Sequence, residues 1–176
     1  VTDQDLPTTD TAAGADDPVL AELAVLFPDA RFERFEPPVG PAQDVVHVAP
    51  ADYLDLVTAA RNAGFDTFVD LCAVDYLWRD PRFEVVVILG SMELRRRLRI
   101  RVGVGGSRPT LPTITWVFPG ANFYERESFD LYGVTFDGHP DLTRILLPDD
   151  WEGHPLRKDE SVGSVPVQFK EAHKAP

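Results

Sequence analysis

The apolar positions of this chain change period along its length. From residue 18 they recur at helical spacing, at Leu20, Leu23, Ala24 and Phe27. Asp17 is placed to cap that helix, Pro18 to open it and Pro28 to close it. Residues 31–36 alternate Phe with charge and residues 44–48 are Val-rich, which predicts two strands around a Pro- and Gly-rich turn near Gly40. A second helix is expected over residues 50–63, with Tyr53, Leu54, Val57 and Ala60 on its inner face and Gly64 as its stop.

From Thr67 the period becomes two. Residues 67–78, 83–90 and 94–104 are rich in branched and aromatic side chains and separated by turn-like breaks, the pattern of an antiparallel meander. The third strand alternates most cleanly, with Leu98, Ile100, Val102 and Val104 on one face and Arg97, Arg99 and Arg101 on the other. The arginine row reads either as a solvated face that blunts an edge strand or as a surface for an acidic partner. Gly103 to Gly106 lack the Gly-Lys-Ser/Thr of a phosphate loop and read as a turn. The predicted fold class is α+β, a mostly antiparallel sheet with helices packed on one face, followed by an extended C-terminal arm. The expected organisation is a flexible tail over residues 1–16, a globular domain over 17–133 and a partner-binding arm and tail over 134–176.

Composition narrows the function classes. A chain of 176 residues with 44% hydrophobic and 26% charged residues suits one domain with a real core. A net charge of -12 argues against nucleic acid and against anionic lipid, leaving protein partners or small-molecule chemistry. With Cys72 as the one cysteine, the chain alone holds no disulfide, iron–sulfur site or Cys-rich zinc site, and its apolar surroundings predict a packed thiol. No apolar run reaches bilayer-spanning length, and residues 1–17 carry acids and Thr where a secretory leader would be basic and then apolar. Direct membrane insertion is therefore not expected.

The stretch from Glu125 to Asp159 is the unusual one. Residues 121–132 predict a helix stopped by Gly133, with Tyr124, Ser128, Phe129, Leu131 and Tyr132 on one broad face. Glu125 falls in the middle of that face, so its carboxylate needs a partner, and Arg144 and Arg157 are candidates. Arg126, Glu127 and Asp130 are expected on the opposite side. Phe123 projects among them, either as a contact for a partner or as a lone exposed ring.

Beyond Gly133 the chain reads as extended, because His139 and His154 each precede a proline. Val134, Phe136, Leu142, Ile145, Leu146, Trp151 and Leu156 must then pack on the domain or on another protein. His139, Asp141, Asp149, Asp150 and His154 include metal-ligand and acid–base types, but match no zinc-helix or EF-hand spacing. Histidines bonded to backbone at bends are the plainer reading.

The residues Glu125, Arg126, Glu127, Asp130, Gly133, Gly138-His139-Pro140-Asp141-Leu142, Arg144-Ile145-Leu146, Pro148-Asp149-Asp150-Trp151 and Gly153-His154-Pro155-Leu156-Arg157-Lys158-Asp159 closely resemble the signature of the 30 kDa subunit of respiratory complex I, the family of the C subunits of bacterial NADH-quinone oxidoreductases. Phe123 stands where that family usually has Trp, and Thr143 where it has a basic residue. The resemblance implies a non-catalytic core subunit of the peripheral arm, docked on the 49 kDa-type subunit and near the iron–sulfur subunits. On that reading the complex passes electrons from NADH to quinone and pumps protons, and this chain sits on the cytoplasmic side of the cell membrane. FMN, iron–sulfur clusters and quinone belong to other subunits, and this chain binds no cofactor or metal. The signature charges are expected to be satisfied against the partner. Alternatives are a scaffold subunit of a related membrane-bound hydrogenase or other ion-pumping oxidoreductase, and a stand-alone metal-assisted enzyme using His139, His154 and the Asp cluster.

Overall fold

The computed structural model describes residues 17–37, 39 and 42–160. The expected N-terminal tail, the turn at Gly40 and the end of the arm from residue 161 lie outside the described residues. The elements are α1 (Pro18–Leu26), β1 (Arg31–Phe35), β2 (Gln43–Val48), α2 (Tyr53–Asn62), β3 (Thr67–Asp75), β4 (Phe83–Ser91), β5 (Arg96–Val104), β6 (Thr110–Pro112), α3 (Ala121–Tyr132) and β7 (Thr135–Asp137).

Local chemistry explains most boundaries. Asp17 caps α1 by accepting the N–H groups of Val19 and Leu20 at 3.0 and 3.2 Å, and Pro18 sits at the start, where no N–H is needed. Helix α2 begins later than Pro50 because the Asp52 N–H first closes a turn on the Ala49 carbonyl. Strand β3 ends at Asp75 rather than Trp78 because the Asp75 carboxylate accepts the Leu77 N–H and turns the chain, leaving Trp78 exposed. Strand β5 starts at Arg96 because Ser91 Oγ accepts the Leu94 N–H and holds the preceding turn.

The main sheet has the order β1-β2-β5-β4-β3. β3, β4 and β5 form the expected antiparallel meander, β1 pairs antiparallel with β2, and β2 pairs parallel with β5. This corrects the edge-strand reading of the arginine row, since β5 lies at the centre of the sheet. After β2 the chain crosses by α2 to the far edge, so the meander walks back until β5 meets β2. A parallel pair needs such a crossover. Gly103 lies inside β5 rather than in a turn. A Cβ there would collide with Pro81 Cγ, so close approach of the neighbouring loop requires glycine.

One face of the sheet carries the core. Leu98, Ile100 and Val102 of β5 and Val85, Val87 and Leu89 of β4 pack with Leu20 and Leu23 of α1 and with Tyr53, Leu56, Val57 and Ala60 of α2, all buried. Each fully buried aliphatic side chain contributes about 1.5–3 kcal/mol. Helix α3 packs along the edge strand β3. β6 and β7 pair parallel and bring Leu111, Val134 and Phe136 into the same core, so apolar packing continues past Gly133. Cys72 corrects the packed-thiol reading. It is exposed, because Leu71 and Ala73 take the inward positions on either side of it in β3.

Candidate functional site

Helix α3 is the spine of the site. Ala121, Glu125, Ser128 and Asp130 are buried, and Gly133 ends the helix at φ 71°, a left-handed value suited to glycine, with its N–H donated to the Phe129 carbonyl. Asp130 is therefore not on an open face. The expected opposite side of the helix is covered by residues 138–157, which fold back along it as a strap.

Glu125 is fully buried near the start of α3. Neither Arg144 nor Arg157 reaches it, contrary to expectation. Its Oε1 accepts the Ile114 N–H at 2.8 Å and its Oε2 accepts the Thr113 hydroxyl at 2.5 Å, both from the chain just after β6. His139 Nε2 stands 3.9 Å from Oε2, too far for a hydrogen bond. The buried Tyr53 hydroxyl has no hydrogen-bond partner, and burial with the nearby Glu125 charge raises its pKa well above the ordinary tyrosine value. Burial pushes the Glu125 carboxyl up, Thr113 and Ile114 pull part of the shift back, and its pKa comes to about 7.

Asp130 is the central anchor of the strap. Its Oδ1 accepts from Arg144 at 2.6 Å, and its Oδ2 accepts the N–H groups of Ile145, Leu146 and Leu147 at 3.0, 2.8 and 2.9 Å. Arg144 also donates to the carbonyls of Trp151 and Gly153. Burial raises the Asp130 pKa, but the Leu147 N–H, Arg144 and the other two N–H groups outweigh it and hold the carboxyl at about 2. One helical turn earlier, Arg126 donates to Thr143 and to the Arg144 carbonyl.

The two histidines are backbone partners at bends. His139 Nε2 lies 3.3 Å from the Asn122 carbonyl oxygen and its Nδ1 accepts the Asp141 N–H. His154 Nδ1 lies 2.9 Å from the Asp130 carbonyl oxygen, and its ring meets Phe129 edge-on. These contacts are separated by about 12 Å along the helix at about 1.5 Å per residue, so the rings do not converge. Among the described residues no group of three or more His, Cys, Asp or Glu side chains is placed to hold a metal.

The far end of the strap returns to the sheet. Arg157 Nε donates to the Tyr132 carbonyl at 2.6 Å, satisfying an α3 C-terminal acceptor, and its guanidinium lies over the Phe83 ring. Asp75 Oδ2 accepts the Lys158 N–H, and Arg82 bridges Asp75 and Asp159 at 2.7 Å each. The Arg82 hydrogen bond and the Lys158 and Leu77 N–H groups overcome burial and hold the Asp75 carboxyl well below the usual range. Asp75, Arg82 and Thr113 carry no signal in the sequence, because each meets its partner across a stretch of chain that no local pattern spans.

Glu125, Arg126, Asp130, Arg144, Arg157 and Asp159 thus find partners within the chain rather than on another protein, while Glu127, Asp141, Asp149, Asp150 and the Lys158 ammonium have no ion-pair partner among the described residues. The pairing has an outward consequence. Phe123 is 60% exposed, Leu146 61% and Leu156 47%, with Ile145 also exposed. Glu127, Asp141, Asp149 and Asp150 are exposed among them, Pro140 likewise, while Trp151 and Pro155 are half-buried. The strap is therefore internally bonded, with an apolar and acidic outer surface.

Residues 46–165 match the family described as respiratory-chain NADH dehydrogenase, 30 Kd subunit. The chain is 45% identical over 154 residues to the C subunit of the NADH-quinone oxidoreductase of Roseiflexus castenholzii, covering 86% of this chain and 87% of the relative. Among solved structures it resembles the trypsin-resistant fragment of Nqo5, with a TM-score of 0.60 and 32% identity over 70% of this chain and 96% of that one. A chain of the membrane-bound sulfane sulfur reductase, an archaeal respiratory membrane complex, shares the fold with a TM-score of 0.69 at 20% identity, over 90% of this chain and 96% of that one.

Proposed function

Because the chain belongs to the respiratory-chain NADH dehydrogenase 30 kDa subunit family, and so to an oxidoreductase complex, we propose that it is a non-catalytic docking subunit of the peripheral arm. On this reading it seats on the 49 kDa-type subunit through the outer surface of α3 and the strap. Electron transfer from NADH to quinone and proton pumping belong to the assembled complex. The flavin, iron–sulfur clusters and quinone are held by its other subunits. No helix among the described residues is long and apolar enough to cross a membrane, which fits a peripheral subunit held by its complex. The cytoplasmic side of the cell membrane is its proposed place.

The observation that carries this reading is the division of labour in the strap. Its arginines Arg144 and Arg157 are spent on α3, while Phe123, Leu146 and Leu156 remain exposed beside the unpaired Asp141, Asp149 and Asp150. Exposed aromatic and aliphatic side chains on a rigidly bonded surface are the material of interface anchors. The metal-assisted enzyme would need His139 and His154 to converge, and among the described residues they do not.

Affinity purification from gently solubilised native membranes tests the proposal. The expected result is co-purification with the 49 kDa-type, flavin and iron–sulfur subunits, with NADH-quinone activity. Co-purification without acceptance of NADH would instead assign the chain to a related ion-pumping complex, a reading favoured only by the shared fold of the sulfane sulfur reductase chain. Recovery of the chain alone would overturn docking altogether.

A further inference from the structure

The second face of the main sheet has a surface that the strap does not use. Register places Arg97, Arg99 and Arg101 of β5 beside Gly90, Ile88 and Val86 of β4. On the other side, Arg99 and Arg101 stand beside Val45 and His47 of β2. Helices α1 and α2 pack on the opposite face, and α3 follows the edge, so among the described residues the arginine face carries no helix. Val45 is buried, yet it lies outside the core cluster, on the arginine side of the sheet. Val86 and Ile88 remain half-buried.

Charge on this face is unevenly settled. Arg101 pairs with Glu84 at 2.7 Å, and Arg31 and His47 both meet Glu33. Asp70, registered beside Ile88, is a further carboxylate on the face, and Glu127 of α3 acts on Cys72 at its edge. Arg97 and Arg99 have no ion-pair partner among the described residues, in a chain whose net charge is -12. Arg99 lies over the Phe35 ring, and its Nε is buried without a hydrogen-bond acceptor. That Nε is closed to a docking partner, and a carboxylate would pair with the outer end of the guanidinium, which has no acceptor among the described residues.

We propose that this face is a second docking surface, occupied by an acidic segment of another subunit that sets a carboxylate against Arg97 and Arg99 and an apolar side chain against Val86 and Ile88. The proposal rests on the reading of the chain as a complex subunit. It gives the subunit two contact faces, the strap on α3 and the open sheet, so that it bridges two neighbours. Charge complementarity selects the occupant: an acidic protein offers few places where a carboxylate is attracted, and this is one.

The test uses the purified intact complex. Arg97→Lys and Arg99→Lys keep the charge and the fold while supplying an amine that carbodiimide couples only to a carboxylate in contact. The expected product is a crosslink from either lysine to an Asp or Glu of another subunit, identified by mass spectrometry. Cys72, exposed and registered beside Val86, supplies an independent readout. Its maleimide labelling should be at least tenfold slower in the complex than in the free chain, and Arg97→Glu/Arg99→Glu should restore the rate. A crosslink to the chain's own acidic residues 1–16, or to a second copy, would overturn the proposed occupant. Unchanged labelling with no crosslink, in a chain that still co-purifies, would overturn this surface while sparing the docking role of the strap. A chain that enters no complex would sink both.

Discussion

Arg144 donates to Asp130 at 2.6 Å, and the other oxygen of the same buried carboxylate accepts three consecutive N–H groups of the strap. One side chain of α3 therefore fixes both the charge and the backbone course of residues 144–147. Asp130→Ala should cost about 3–5 kcal/mol, because it leaves Arg144 partly buried without its carboxylate. Denaturant unfolding measures the loss, and limited proteolysis should show cleavage within residues 141–160 while the sheet stays protected. An intact strap in this variant would show that packing, not Asp130, holds it.

Glu125 makes stability depend on pH in the opposite sense to a paired carboxylate. Its folded value of about 7 lies above the ordinary 4.5. Below 4.5 both folded and unfolded chains hold the proton, and the group adds no pH dependence. Between 4.5 and about 7 the unfolded chain releases its proton first, so stability falls as pH rises, by about 3 kcal/mol at most. Glu125→Gln keeps a hydrogen-bonding side chain and should flatten this dependence, matching the parent near the acid end of that window and equalling or exceeding its stability above it. Unfolding midpoints across the window check it; parallel curves would mean that Glu125 is ionised when buried.

Gly133 is required twice over. Its φ of 71° disfavours any side chain, and a Cβ there would stand 2.5 Å from an Arg157 nitrogen and 2.6 Å from His154. Gly133→Ala should therefore destabilise the chain by about 2–4 kcal/mol. It should also release the Arg157 and His154 contacts before the sheet unfolds. Hydrogen exchange at residues 154–159 is the sensitive measurement.

The outward side chains separate folding from assembly. Phe123→Asp removes an exposed ring and should change stability by no more than about 0.5 kcal/mol. It should nonetheless lower the amount of chain recovered in the complex several-fold. Arg157→Ala should also lower assembled complex, through loss of the strap, while leaving the specific activity of what does assemble unchanged. Normal abundance with abolished quinone reduction would revive a catalytic role for this surface.

Period and punctuation are legible in the sequence because they are local. Alternation in β5 follows from side chains pointing to opposite faces, and α3 from Ala121 to Tyr132 follows from its turn-to-turn pattern and Gly133. Asp17 and Pro18 mark the start of α1 through groups within four residues of one another. The signature from Glu125 to Asp159 is equally readable, and it points to the family to which the chain belongs.

What the sequence by itself determined was thus the three helices, the five strands of the main sheet and the family, while β6 and β7, three residues each, left no period to read. Tertiary structure alone decided that β5 is central rather than an edge, that Glu125 turns to Thr113 and Ile114 instead of an arginine, and that Cys72 faces out. It also decided that Asp130 and Arg144 close on each other along α3, that Arg157 turns to the end of that helix and that Asp159 reaches Arg82 beside the sheet. Each of these is a choice among partners far apart along the chain. Such choices are made by the crossover through α2 and the fold-back of the strap, where burial makes a missing partner costly and local propensity is silent.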